Sequence, residues 1–249
     1  MIFYLGINNV DWLWSKNEHI PFFVSDRRLK RYKKLKPANF IWALDSGGFT
    51  ELHKYGKWIT TPKEYAERTK FYSASLGKMQ FAAIQDWMCE ASARKKTKKS
   101  VNFHQKKTIE NWFKLNDLAP KIPWLPVLQG QTPKDYIRHL EDYRDQGVQS
   151  TFFGLGSVCR RANSQEIVDL VEELTINHNI LLHGFGVKSK ALLKINRYLK
   201  SSDSMAWSVN AAYEKVKPKY KTCNHKACSS CYSYAKWWYR KNLKNYVVY

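Results

Sequence analysis

Apolar residues along this chain gather in short runs at fairly even spacing: IFYLG, PFFVS, FIWAL, MQFAAI, WLPVLQ, TFFGLG, NILLHGFG and DSMAWS. Each run has the length of a strand and is bounded by turn residues. Most of the intervening segments carry a helical period instead. Tyr65, Thr69, Tyr72 and Leu76 share one face, as do Tyr136, Leu140 and Tyr143, and likewise Ile167, Val171 and Leu174. Two of these helices open alike, with TPKEY at 61 and TPKDY at 132. Each offers a threonine cap, a proline at the first helical position and a carboxylate near the positive helix end. Alternation of about eight strands with helices predicts an α/β fold, a TIM-type (β/α)8 barrel over residues 1–210, followed by a C-terminal segment over 211–249. The alternative is an open doubly wound sheet. That arrangement calls for a glycine-rich phosphate turn after the first strand, and LGINNV is not one.

Polar residues and glycines follow the apolar runs: Asp45, Ser46, Gly47 and Gly48 after FIWAL, Asp86 after FAAIQ, Gln129 and Gly130 after LPVL. GLGS at 154 to 157, HGFG at 183 to 186 and Asp203 at the last run continue the series. In a barrel all strand ends open on one face, so these residues are expected to meet there. Taken alone, Asp-Ser-Gly-Gly is ordinary turn chemistry; the repetition at successive strand ends is what suggests a site.

Composition adds a partner. Lysines and arginines number 42 against 21 acids, a formal net charge of +21. They cluster in RRLKRYKKLK at 27 to 36, in RKKTKK at 94 to 99, and at Lys215, Lys217, Lys219 and Lys221. Such an excess points to a polyanion, nucleic acid first among them. No apolar run reaches membrane-spanning length, and the N-terminal MIFYLGI is only as long as a strand. A soluble, cytoplasmic protein is expected, with no membrane partner.

In CNHKACSSC, Cys223, His225, Cys228 and Cys231 lie within nine residues. Three thiols and an imidazole so close suit a tetrahedral structural Zn²⁺ site. Such a site would fix the C-terminal segment, whose Trp237, Trp238 and Tyr239 are read as packing residues. Cys89 and Cys159 have no partner at ligand spacing and read as buried thiols.

DSGGF at 45 to 49, Gln129-Gly130, GLGS at 154, GFG at 184 and DSMAW at 203, in that order, resemble the motifs of the tRNA-guanine transglycosylase superfamily. QDWMCE at 85 to 90 and FGLGSVCRR at 153 to 161 look closer to its DpdA branch, the DNA-guanine transglycosylases. The resemblance covers residues 40 to 231 and implies exchange of guanine in DNA for a 7-deazaguanine, of the preQ0 type, through a covalent aspartyl-sugar intermediate, in phages or bacteria. It assigns Asp203 as nucleophile and Asp45 as acid and base. Ser46, Phe49, Asp86, Gln129, Gly130, Gly154, Leu155, Gly156 and His183 become base-binding residues. Phe49 would stack on the base, Asp86 would take its N1 and amino edge, and Gln129 with the glycine backbone would take its carbonyl edge.

The sequence departs from the superfamily pattern at Trp87-Met88-Cys89 beside Asp86, at Gln131 after Gln129-Gly130, and at His183. The superfamily's zinc histidine lies well downstream of its cysteines, whereas here His225 serves, the reading favoured, or a fourth ligand comes from elsewhere. Action on tRNA is the alternative substrate, and a non-catalytic zinc protein that binds nucleic acid is the alternative class. Charge and cysteines fit the latter equally; three aspartates at strand ends of a basic chain do not follow from it.

Overall fold

The computed structural model describes residues 1–16, 19–159, 161, 164–187, 189–213 and 228–243. Nine strands form one parallel sheet: β1 (Ile2–Ile7), β2 (Phe22–Ser25), β3 (Trp42–Asp45), β4 (Met79–Ala83), β5 (Trp124–Leu125), β6 (Val127–Leu128), β7 (Phe152–Leu155), β8 (Leu181–Gly184) and β9 (Leu199–Ser204). Their order is β5-β4-β3-β2-β1-β9-β8-β7-β6. The two ends of that series, β5 and β6, are separated only by Pro126. A proline has no N–H to give to a ladder, so WLPVLQ is one strand in two halves. Its first half pairs with β4 and its second with β7, where the Pro126 carbonyl accepts from Gly154 N–H at 2.8 Å. The sheet therefore closes, apart from the break at the proline, into the barrel that the spacing of apolar runs predicts.

Seven of the eight apolar runs coincide with strands, and DSMAWS does not. The last strand is LKSSDS, and Asp203 stands near its end rather than opening it; Ala206–Tyr213 is already helix. Ser201, Ser202, Asp203 and Ser204 are all buried, so this strand buries polar groups and gives no apolar signal.

The helices form the outer layer. Those after β3 are α2 (Gly48–Tyr55), α3 (Pro62–Leu76), α4 (Ala91–Thr97), α5 (Val101–Leu118), α6 (Pro133–Asp145), α7 (Gln165–Ile176), α8 (Ser189–Ile195) and α9 (Ala206–Tyr213). The faces anticipated on α3, α6 and α7 are all buried. Thr61 and Thr132 each close a capping box, with Glu64 and Asp135. Among the described residues there is only a 3-10 turn, Val10–Trp14, between β1 and β2, and only the four-residue α1 (Asp26–Leu29) between β2 and β3. The C-terminal helix α10 (Tyr232–Leu243) fills part of this gap. Its Trp238 and Tyr239 rings lie 6.5 and 6.2 Å from Phe3 of β1, and Tyr232 lies 4.8 Å from Trp12. Trp238 and Tyr239 are thus packing residues, as their composition suggests.

Inside the barrel, Tyr4, Phe23, Ala43, Phe81 and Leu125 form a second, smaller core with Phe152 and Phe185 against it. These aromatic residues fill the axis and make the floor on which the polar strand ends sit.

Candidate active site

At the C-terminal mouth of the barrel lies a cavity of about 620 Å³. Asp45, Phe49, Asp86, Gln129, Gly156 and Asp203 all line it, contributed by the ends of β3, β4, β6, β7 and β9 or the turns after them. Ser46, Gly130, Gly154, Leu155 and His183 lie outside that lining set. Their places have local reasons. Gly154 leaves room for the Phe185 ring, which a Cβ would meet at 2.3 Å, and a Cβ at Gly130 would meet the Tyr136 ring at 2.8 Å. Leu155 belongs to the outer core.

Asp45 ends β3 and receives hydrogen bonds from the Ser25 hydroxyl and the Gly47 N–H. Gly47 has φ +83°, which turns its N–H back on the carboxylate. Ser25 occupies the cap position of α1 but does not cap it; its hydroxyl serves Asp45. Burial pushes the Asp45 carboxyl up to about 6, and the nearby Asp203 charge adds to the rise.

Asp86 follows β4. Its backbone carbonyl accepts from Trp58 Nε1 at 3.1 Å, and Trp58 also packs on Gly48, so one indole ties the two aspartate loops together. Burial, then the charge of Asp45, pushes the Asp86 carboxyl up to about 7. Gln129 Nε2 donates to Asp86 Oδ2.

Gln129 itself is fully buried and held at both backbone groups. Its N–H donates to His139 Nδ1 at 2.9 Å, and its carbonyl accepts from Gln105 Nε2 at 2.7 Å. Burial lowers the His139 imidazole to about 3, which keeps the ring neutral and Nδ1 an acceptor.

Asp203 Oδ1 accepts from the Gly186 N–H at 3.0 Å, and His183 Nε2 lies 3.3 Å from the same oxygen. His183 Nδ1 meets Ser201 Oγ at 2.8 Å. Its ring is enclosed by Phe81 and Phe185 at 4.8 and 4.7 Å, so it supports Asp203 from below rather than stacking across the cavity. Phe49 is 53% exposed and stacks at 4.2 Å on His53 of its own helix, leaving a free aromatic edge at the mouth.

Sequence reasoning missed several lining residues: Asn8, Phe23, Ser25 and Arg28; Ser157 and Phe185 lie within GLGS and HGFG, where they were expected at the mouth but given no role of their own. Ser25 had a signal, being the polar residue at the end of PFFVS just as Asp45 is at the end of FIWAL. Arg27 and Arg28, from the first basic run, reach the rim, where Arg27 donates to Thr50 at 2.6 Å. In the second run Lys95, Lys96, Lys98 and Lys99 are exposed, while Arg94 turns inward to Gln131. Lys215 to Lys221 lie outside the described residues. Cys89 is buried, its thiol pushed up to about 12, but Cys159 lines the cavity, contrary to the reading of a buried thiol.

Of the four expected zinc ligands, Cys223 and His225 lie outside the described residues. Cys228 and Cys231 are buried, and Tyr234 N–H donates to Cys231 Sγ at 3.4 Å. Among the described residues no group of three or more His, Cys, Asp or Glu side chains is gathered as a metal site. No helix among them is long and apolar enough to cross a membrane.

Parallel strands closed into a barrel, with carboxylates converging above an aromatic floor at the C-terminal mouth, define a (β/α)8-type barrel with its polar site where such barrels carry their chemistry. The model of one family, DpdA (DeoxyPurine in DNA protein A), matches residues 1–248, and the chain belongs to this family of DNA-guanine transglycosylases. No curated protein matches the chain. The family places the protein in DNA modification.

Proposed function

We propose that this protein exchanges guanine in DNA for a 7-deazaguanine base by double displacement at the sugar, with Asp203 as nucleophile and Asp45 as acid and base. The observation that carries the reading is the convergence of Asp45, Asp86, Gln129 and Asp203 on one cavity of about 620 Å³, large enough for a flipped nucleoside.

In the first step an Asp203 oxygen attacks C1′ of the deoxyguanosine while the bond from C1′ to N9 breaks. The Asp45 carboxyl, raised to about 6, is protonated in part near neutral pH and gives its proton to the leaving guanine. The sugar is then held as an ester of Asp203. In the second step Asp45 takes the N9 proton of the incoming deazaguanine, N9 bonds to C1′, and the Asp203 carboxylate is released. Two inversions restore the original configuration. Different surroundings divide the roles. Asp203 has a backbone N–H and an imidazole beside it, whereas the environment of Asp45 favours a proton.

Asp86 takes the N1 and amino hydrogens of the base, and Gln129 offers an N–H to its carbonyl. Phe49 stacks at the open side, repaying part of the unstacking cost of a few kcal/mol. Arg27, Arg28 and the exposed lysines near the mouth give the phosphates of a single strand a cationic surface.

The chain also carries a structural Zn²⁺ on Cys223, His225, Cys228 and Cys231, within a C-terminal segment at 211–249. Support comes from the two buried sulfurs, one of which accepts from the Tyr234 N–H, at the spacing a tetrahedral site uses. The ion supplies a cross-link and no chemistry to the reaction.

The test is release of labelled guanine from DNA and from tRNA, with a 7-deazaguanine present, by the native chain and by Asp203→Asn. Release from DNA that is lost in the variant is expected. Release from tRNA alone moves the substrate, and release that persists in the variant removes Asp203 from the nucleophile's role.

A further inference from the structure

Ser157 has φ +57°, a left-handed conformation that glycine adopts freely and serine does not. It lines the cavity directly after Gly156, and no motif described above assigns it a role. Its hydroxyl has two short contacts. Cys89 N–H donates to Ser157 Oγ at 2.9 Å, and Ser157 Oγ lies 2.6 Å from Gln129 Oε1. A hydroxyl has one proton. With the oxygen already accepting from Cys89, that proton goes to Gln129 Oε1.

This fixes the direction of the whole chain of hydrogen bonds. Cys89 N–H donates to Ser157, Ser157 donates to Gln129 Oε1, and Gln129 Nε2 therefore faces Asp86 and the cavity. Cys89 N–H adds a weaker contact to the same Oε1 at 3.3 Å. On the other side the amide is pressed against Gly156, where a Cβ would lie 2.1 Å from Nε2. An unrestrained glutamine can present either its oxygen or its N–H to a ligand, because the two ends of the amide have nearly the same shape. Here the hydroxyl of Ser157 on Oε1, together with Asp86 on Nε2, removes that freedom.

We propose that Ser157 is a positioning residue for base specificity: by holding Gln129 with its N–H toward the cavity, it makes the pocket accept a purine with a carbonyl at the 6-position and reject one with an amino group there. The inference rests on the guanine-exchange reading. A glycine at 157 would relieve the left-handed conformation but take away the hydroxyl on Gln129 Oε1, leaving the amide oriented only by Asp86 and the weaker Cys89 contact. A donor facing a donor leaves both unpaired in a buried site, which is how such pockets discriminate.

The test compares binding of guanine and 2,6-diaminopurine by calorimetry in the native chain, Ser157→Gly and Ser157→Ala. The two bases share the 2-amino group and differ at positions 6 and 1. Asp86 reads position 1 in all three chains, so a change in preference between chains reports the Gln129 amide. The native chain is expected to prefer guanine, and both variants to lose roughly three- to tenfold of that preference. Ser157→Gly should melt no lower than the native chain, because the strained conformation is relieved; that separates positioning from a general loss of structure. An unchanged preference in a folded Ser157→Gly overturns the proposal while leaving the guanine-exchange reading in place, as does an equal loss of affinity for both bases. A native chain that binds neither base overturns the exchange reading and the role of Ser157 with it.

Discussion

At the scale of single residues, the site is held in a state that works against stability. Burial moves the Asp45 carboxyl from 3.8 to about 6 and the Asp86 carboxyl from 3.8 to about 7, so the folded chain keeps protons that the unfolded chain has already lost. Below the unfolded value both states are protonated and neither group costs anything. As pH rises from there to the folded value, the unfolded chain gains relative stability, and above it the cost stays constant. For Asp45 the window runs from pH 3.8 to about 6. Asp45→Asn keeps an acceptor for Ser25 and Gly47 without the charge, so it is expected to raise the melting temperature at pH 8, leave it nearly unchanged at pH 3.5, and abolish exchange. Equal shifts at both pH values would show that the carboxyl is not held against its charge. The aspartate was legible because it follows an apolar run, but its proton affinity was not: Ser25, Gly47 and Asp203 come from three different parts of the chain.

At the scale of elements, periodicity served well wherever a strand or helix has one apolar face. The capping boxes at Thr61 and Thr132 and the buried stripes of α3, α6 and α7 follow from local sequence. It failed at β9, where LKSSDS faces other polar groups and the neighbouring apolar residues belong to the next helix. The role of α10 was only half visible. Its aromatic residues suggest packing, yet what they cover, the outer face of β1, is left open because the described residues after β1 form a 3-10 turn and no full crossover helix. The helix is then part of the barrel's own core. Trp238 is 5% exposed, and Trp238→Ala should cost about 3–5 kcal/mol in urea denaturation. A loss below about 1 kcal/mol, within the range of surface substitutions, would make α10 an appendage.

For the whole molecule, the C-terminal turn and the mouth of the barrel are joined. Asn8, which lines the cavity just past β1, donates through Nδ2 to the Ser229 carbonyl at 3.2 Å and to Ser230 Oγ at 3.0 Å. Ser208 of the helix after β9 donates to the same carbonyl at 2.6 Å. The turn between Cys228 and Cys231 is therefore anchored on the segments that directly follow β1 and β9, of which β9 carries Asp203 and β1 is its neighbour in the sheet. A metal at these cysteines would stabilise more than its own loop. One zinc per chain is expected by elemental analysis, reduced in Cys228→Ser, and a chelator should lower the melting temperature of the native chain. A native chain free of metal, or one whose melting a chelator leaves unmoved, would remove the ion from the account.

The sequence by itself determined the alternation of strands and helices, the basic surface, the strand-end aspartates and the family motifs, because each is written in neighbouring residues or in bulk composition. Only the tertiary structure decided which of those residues share the cavity. It set Gly130, Gly154 and Leu155 among packing contacts, put His183 beneath Asp203, and brought Ser25 and Asn8 to the mouth. The reason is closure of the sheet: pairing β5 with β4 and β6 with β7 around Pro126 turns ends far apart in the chain into one ring. Proton affinities and hydrogen-bond directions in that ring depend on neighbours that local sequence does not specify.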